Sequence, residues 1–161
     1  MNTVVLGLGN PIRTDDGVGV FAIRKLASEN QFTHDVRMIE GGTLGLDLLP
    51  SLRGVTHLLA LDAVDTGAVP GALSRFADEE LANLPIGNSV HLLGLADLLG
   101  IINLLDGPPR EVVLLGVQPK STEWGTTLSS EVEPHLRELV EAARRQIANW
   151  LVQESPATPL M

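Results

Sequence analysis

The residues best placed to do chemistry are acids in an unexpected setting. Residues 7–19, GLGNPIRTDDGVG, form a glycine-rich turn after a short apolar run, and they put Asp15 and Asp16 where a phosphate-binding loop would hold its anion. Two carboxylates repel a pyrophosphate, and in a partly desolvated pocket that repulsion costs kilocalories rather than tenths. The turn is therefore built for something other than phosphate. A further acid, Asp62, lies near the end of the apolar run THLLALDAV, where a carboxylate is expensive to bury without a partner. His91 follows the polar GNS and opens the apolar stretch HLLGLADLLG. Carboxylates facing each other across a crevice need a proton or a cation between them. Asp16, Asp62 and His91 together offer two oxygens and a nitrogen, a set that suits nickel or zinc and leaves coordination positions open for substrate or water.

Other readings compete for the same residues. Asp16 also fits a helix cap, and a lone histidine such as His91 also fits a capping or hydrogen-bonding role. A dinucleotide fold could use Gly7 and Gly9 with Glu40 as the ribose-binding acid, but Ile12 stands where its third glycine belongs. GLGNP resembles the opening of peptidyl-tRNA hydrolases, yet the match stops at Pro11 because RTDDGVG replaces the expected threonine-arginine-histidine-asparagine segment. His34, His57 and His135 have no companions in sequence and read as surface or structural; Asp78, Glu79 and Glu80 read as a solvated helix start. The chain has no G-x-S-x-G elbow, H-E-x-x-H pair or Walker loop.

Composition narrows the partners. A net charge of −9, with 3% aromatic residues and no tyrosine, opposes nucleic-acid binding through either phosphates or stacked bases. The absence of cysteine leaves carboxylates, histidines, hydroxyls and backbone to do any chemistry. No cationic leader precedes the first apolar stretch, and that stretch is too short for a signal peptide or membrane span. The expectation is a soluble, cytoplasmic protein that does not engage membranes.

The elements that must position these residues alternate. Strands are predicted at residues 3–9, 35–40, 56–64 and 111–119, with a brief strand in GALSRFADEEL running into an acidic helix start. Helices are predicted after Gly17, over TLGLDLLPSL with a disturbance at Pro50, and over residues 89–105, the last apolar on most sides and expected to be well buried. A final amphipathic helix, capped by Ser129 or Ser130 with Pro134 in its first turn, runs to about Gln153. One α/β domain over residues 1–153 is expected, a three-layer α/β/α sandwich on a mostly parallel sheet, with residues 154–161 as a flexible tail. If the first and third strands are neighbours at the topological switch point, Asp16 and Asp62 face each other.

The motifs VLGLGNPIRTDDGVGV, EGGTLGLDLL, LLALDAVDTGAVPG, SVHLLGLADLL and LLGVQPKSTEWGTTLSSEV, in this order, resemble the hydrogenase maturation proteases over nearly the whole chain. The resemblance implies five strands with one antiparallel near an edge. It also implies an endopeptidase that trims the C-terminal extension of a nickel-iron hydrogenase large-subunit precursor after nickel insertion. Carried over by position, the family's metal-binding residues fall on Asp16, Asp62 and His91; for the chemical step, either the metal polarises the scissile carbonyl or a bound water, or a carboxylate of the catalytic pair Asp16 and Asp62 acts as general base. Many members have glutamate at the first of these, and aspartate presents the same carboxylate on a shorter arm. The family's GGT segment falls on Gly41, Gly42 and Thr43, at the edge of a substrate cleft. Nickel is expected to arrive with the precursor, with no nucleotide cofactor. A non-proteolytic nickel-dependent binding module or chaperone using the same three ligands is the alternative.

Overall fold

β1, Thr3–Leu8, is buried at every position, as a parallel strand covered on both faces must be. A computed structural model describes residues 1–29, 32, 35–84 and 90–155. His34, the predicted helix start at Ser89, and residues 156–161 of the expected tail lie outside the described residues. After β1 come a 3-10 turn at Thr14–Gly17, α1 (Val18–Ser28), β2 (Val36–Gly42), a second 3-10 turn at Gly45–Leu48 and α2 (Leu49–Leu52). β3 (His57–Ala63), β4 (Leu73–Ala77), α3 (Glu79–Ala82), α4 (Val90–Asp106), β5 (Glu111–Val117) and α5 (Leu136–Glu154) complete the chain.

The sheet order is β2-β1-β3-β5-β4, with every pairing parallel except β4 with β5. Successive side chains of a strand point to opposite faces, so each central strand feeds two cores. Val5, Leu59 and Leu115 face α1 and α5, where they meet Ile23, Ile147 and Trp150. Val4, Leu58 and Leu114 face the other way, onto Leu52 of α2 and Leu95, Leu98 and Ile102 of α4. The result is the expected α/β/α sandwich with an antiparallel strand at one edge. β1 has β2 on one side and β3 on the other, which places the switch point, and a crevice, at the C-terminal ends of β1 and β3.

Three local expectations need correction. Pro50 lies in the first turn of α2, where its missing N–H costs no hydrogen bond, so it starts the helix rather than disturbing it. Neither Ser129 nor Ser130 caps the last helix: a 3-10 turn at Glu133–His135 leads into α5, and the Ser129 hydroxyl donates to Asp15 instead. α5 ends at Glu154, within a residue of the predicted end, and Glu154 is paired with Arg110 at 2.8 Å. Among the described residues, α4 leaves its outer side open near its end. Leu104 is 86% exposed there.

Close backbone approach fixes α1 over the switch point. A Cβ on Gly19 would lie 2.1 Å from the Leu61 carbonyl and 2.5 Å from that of Leu8, both main-chain atoms of the sheet. Gly19→Ala is expected to lower stability by about 3 kcal/mol, read from the urea midpoint at unchanged m-value.

Candidate active site

The loop that follows β1 turns on Gly9. At φ +113°, a Cβ on this residue would lie 1.8 Å from the Asp16 carbonyl oxygen and 3.4 Å from Asp62 Oδ1, so only glycine fits between the two acids' segments. The amide of Gly9 donates to the Gly42 carbonyl at 3.0 Å, tying the end of β1 to the end of β2. The adjacent aspartates then part company.

Asp15 is fully buried and accepts four hydrogen bonds: from the amides of Lys120, Ser121 and Ser129 at 2.9, 3.0 and 2.8 Å, and from the Ser129 hydroxyl at 2.8 Å. Its own amide donates to the Ser121 carbonyl. Around this anchor Thr14, at φ +52°, donates from its amide to Gly125 and from its hydroxyl to Glu123, while the Arg13 guanidinium lies over the Trp124 ring. Asp15 thus fastens the loop after β1 to the loop after β5. Sequence reasoning gave Asp15 no role of its own, because its donors lie more than 100 positions away; the only local signal was a second acid with no apparent task.

Asp16, one residue on, turns towards the crevice. Its Oδ2 accepts from the Asn10 amide at 3.0 Å and from His91 Nε2 at 2.9 Å. It caps no helix: α1 begins after Gly17 without a side-chain cap. Burial opposes its ionisation, but the His91 hydrogen bond and charge, the Asn10 amide and Arg13 together hold its carboxyl below the ordinary range. The bond to Asp16 raises the pKa of His91 against the pull of burial, and Asp62 adds to the rise. The pair is a carboxylate facing an imidazole whose protonated form it favours, with side chains 19% and 14% exposed and so open to a ligand from solvent.

Asp62 occupies the penultimate position of β3 and is fully buried. Desolvation pushes its pKa up to about 7, against the opposing pull of the His91 charge and the Ala63 amide. Oδ1 accepts from that amide at 2.8 Å; Oδ2 is buried and has no hydrogen-bond partner among the described residues. The predicted trio is therefore brought to one place, with Asp16 and His91 in direct contact and Asp62 in electrostatic reach of both. Its two oxygens and one nitrogen have the chemistry of a divalent-metal site. Among the described residues, however, no three acidic or histidine side chains are drawn up as a ready-made metal cage.

The GGT segment is split. Gly42 and Thr43 line a cavity of about 270 Å³ that His91 also lines. Gly41 is buried beneath Leu8 and Leu48, where a Cβ would come within 3.1 Å of each, and does not line it. A wider groove of about 640 Å³ runs between α3 and α4 at the opposite ends of the strands, away from these acids. Glu40, the candidate ribose acid, is occupied by Arg24 at 2.6 Å. His57 is buried against Trp150, and His135 packs over Gly71; both are structural.

A family model described as hydrogenase maturation protease matches residues 20–146, a span that includes Asp62 and His91 and starts just after Asp16. The hydrogenase 2 maturation protease of Escherichia coli K12 is 33% identical over 161 residues, covering 96% of this chain and 98% of that protein. The hydrogenase expression/formation protein HoxM of Azotobacter vinelandii is 34% identical over 147 residues, 87% of this chain and 71% of that one. Among solved structures, the hydrogenase maturating endopeptidase HybD from E. coli superposes with a TM-score of 0.84 at 33% identity, covering 91% of this chain and 93% of its own. The NiFe hydrogenase maturation protease HybD from Thermococcus kodakarensis gives 0.77 at 28% identity, covering 91% and 99%.

Between the ordinary carboxyl value and about pH 7, folded Asp62 holds a proton that the unfolded chain releases, so its contribution to stability is lost as pH rises through that window. Asp62→Asn removes this dependence. The stability of the variant relative to wild type is expected to improve by about 2 kcal/mol between pH 5 and pH 8 in parallel urea titrations. Asp15→Asn, which turns an amide NH2 towards N–H donors, is expected to cost about 2–4 kcal/mol in a urea titration at pH 7.

Proposed function

The chain belongs to the hydrogenase maturation protease family, and from that premise we propose that it removes the C-terminal extension of a nickel-iron hydrogenase large-subunit precursor, reading the nickel already bound there through Asp16, Asp62 and His91. The observation that supports this reading is the Oδ2 of Asp62, buried without a hydrogen-bond partner among the described residues beside a carboxylate–imidazole pair that solvent can reach. An orphaned buried oxygen of this kind is costly until a ligand satisfies it.

Nickel belongs to the substrate in this scheme, not to the enzyme. His91 Nε2 and Asp16 Oδ2 are bonded to each other before it arrives, so engagement requires that bond to open and the imidazole to lose its proton. Asp62 contributes the third contact. A precursor without metal offers nothing to offset the loss of the Asp16–His91 pair, and it is passed over. The site thereby ties cleavage to completed metal loading.

Hydrolysis adds water across the scissile amide; one proton of the water goes to the leaving nitrogen as the C–N bond breaks. Asp16 and Asp62 are the groups that accept and return that proton. Before nickel arrives, burial holds the Asp62 carboxyl at a pKa of about 7, so it can carry or release a proton at neutral pH.

Intact-mass analysis of a nickel-loaded precursor incubated with the chain tests the reading. Loss of a C-terminal peptide is expected with wild type, slowed by at least about 100-fold in Asp62→Ala and Asp16→Ala. Nickel-dependent association without any shortening would instead establish a non-proteolytic binding module. Association with the loaded precursor is expected to weaken as pH falls through the raised pKa of His91, because protons and nickel compete for Nε2; pull-down across pH 5 to 8 reads this out.

A further inference from the structure

α4 carries a glycine that its own packing does not require. Gly94 lies within the helix Val90–Asp106, where glycine is less stable than alanine, yet the nearest atom to a Cβ built there is Gly45 Cα at 3.9 Å. The space in front of it is the cavity of about 270 Å³ that His91 and Thr43 line. Its floor is Leu6, Leu8, Leu48 and Leu98, side chains of the sheet and helix core. Leu46, 53% exposed, lines it as well, and Leu44, equally exposed, lies two residues before it.

We propose that this pocket receives one large aliphatic side chain of the precursor, from a residue next to the scissile bond, and that Gly94 sets the size it accepts. The proposal rests on the endopeptidase reading above and names the substrate chemistry that reading leaves open. Three features select this occupant. His91 belongs both to the pocket wall and to the pair with Asp16, so a side chain seated here leaves its backbone at the carboxylates. His91 and Thr43 supply the only polar side chains among the described lining residues, so a charged occupant would lose its water without gaining partners. The volume lies at the small end for a ligand site and has room for one large aliphatic side chain and little more.

The test uses the full chain, a nickel-loaded precursor and the variants Gly94→Ala and Gly94→Leu, with melting temperature recorded beside the cleavage rate. Gly94→Leu fills the pocket: kcat/KM is expected to fall at least tenfold, mainly through KM, while the melting temperature does not drop. Gly94→Ala is expected to cleave at an intermediate rate. A second arm leaves the enzyme intact and replaces, one at a time, the precursor residues flanking the cut found by mass. One aliphatic position should lose at least tenfold on replacement by Asp, and Gly94→Leu should prefer Ala to Leu there. Wild-type cleavage with no flanking position sensitive to Asp overturns the pocket, as does a folded Gly94→Leu that cleaves at the wild-type rate. If wild type does not shorten a loaded precursor at all, the endopeptidase reading falls first and the pocket falls with it.

Discussion

A buried carboxylate that accepts four hydrogen bonds joins whatever supplies the donors. At Asp15 the donors come from the loop after β5, and the acceptor comes from the loop after β1. Among the described residues neither loop has regular structure beyond one 3-10 turn each, at Thr14–Gly17 and Glu133–His135, and an isolated bridge between Arg13 and Gly125, so this junction gives the segment its shape. Asp16 depends on it directly. With its neighbour fixed in the core, the Asp16 side chain is left on the crevice side, aligned by the Asn10 amide and facing His91. Gly9 makes the arrangement possible from below, and Gly19 does so from the side by letting α1 touch the backbone of both β1 and β3.

Three ionisable groups share a small volume, and their environments drive them apart. Asp16 sits low because His91 and a backbone amide favour its charge; His91 sits high because Asp16 favours its charge. Asp62 sits near neutrality because burial outweighs every favourable partner it has. Carboxylates in distinct protonation regimes beside an imidazole form an arrangement able to exchange both a cation and protons. The neighbouring cavity is built differently, with leucines and glycines around a small space that shares His91 with the charged side. Charge and shape recognition thus meet at one histidine.

The strand pattern was legible because buried parallel strands read as continuous apolar runs: residues 3–9 and 56–64 contain β1 and β3 almost residue for residue. Asp62 was legible for the same reason, as one acid in such a run. Asp16 and His91 could be named, but their pairing depends on a contact across 75 positions that no local pattern encodes. Asp15 was opaque because its partners are backbone amides, which every sequence has. Ser129 was misread as a helix cap because serine near a helix start has that local preference, and a tertiary acceptor outcompeted it. The burial of α4 was overstated because apolar composition does not say how many neighbours a helix will have.

The Asp15 junction also sets an order in time. Its last donor, Ser129, stands 129 residues into a chain of 161 and waits on β5, which must first dock beside β3. Loop closure over such a separation is slow to be repaid, since the entropy is lost before the distant contacts form. The sheet can nucleate from β1, β2 and β3 while the acids beside it are still unaligned. A partly made or partly folded chain therefore carries the residues of the site without its geometry, and a processing enzyme that must not cut prematurely is inert until it is itself finished.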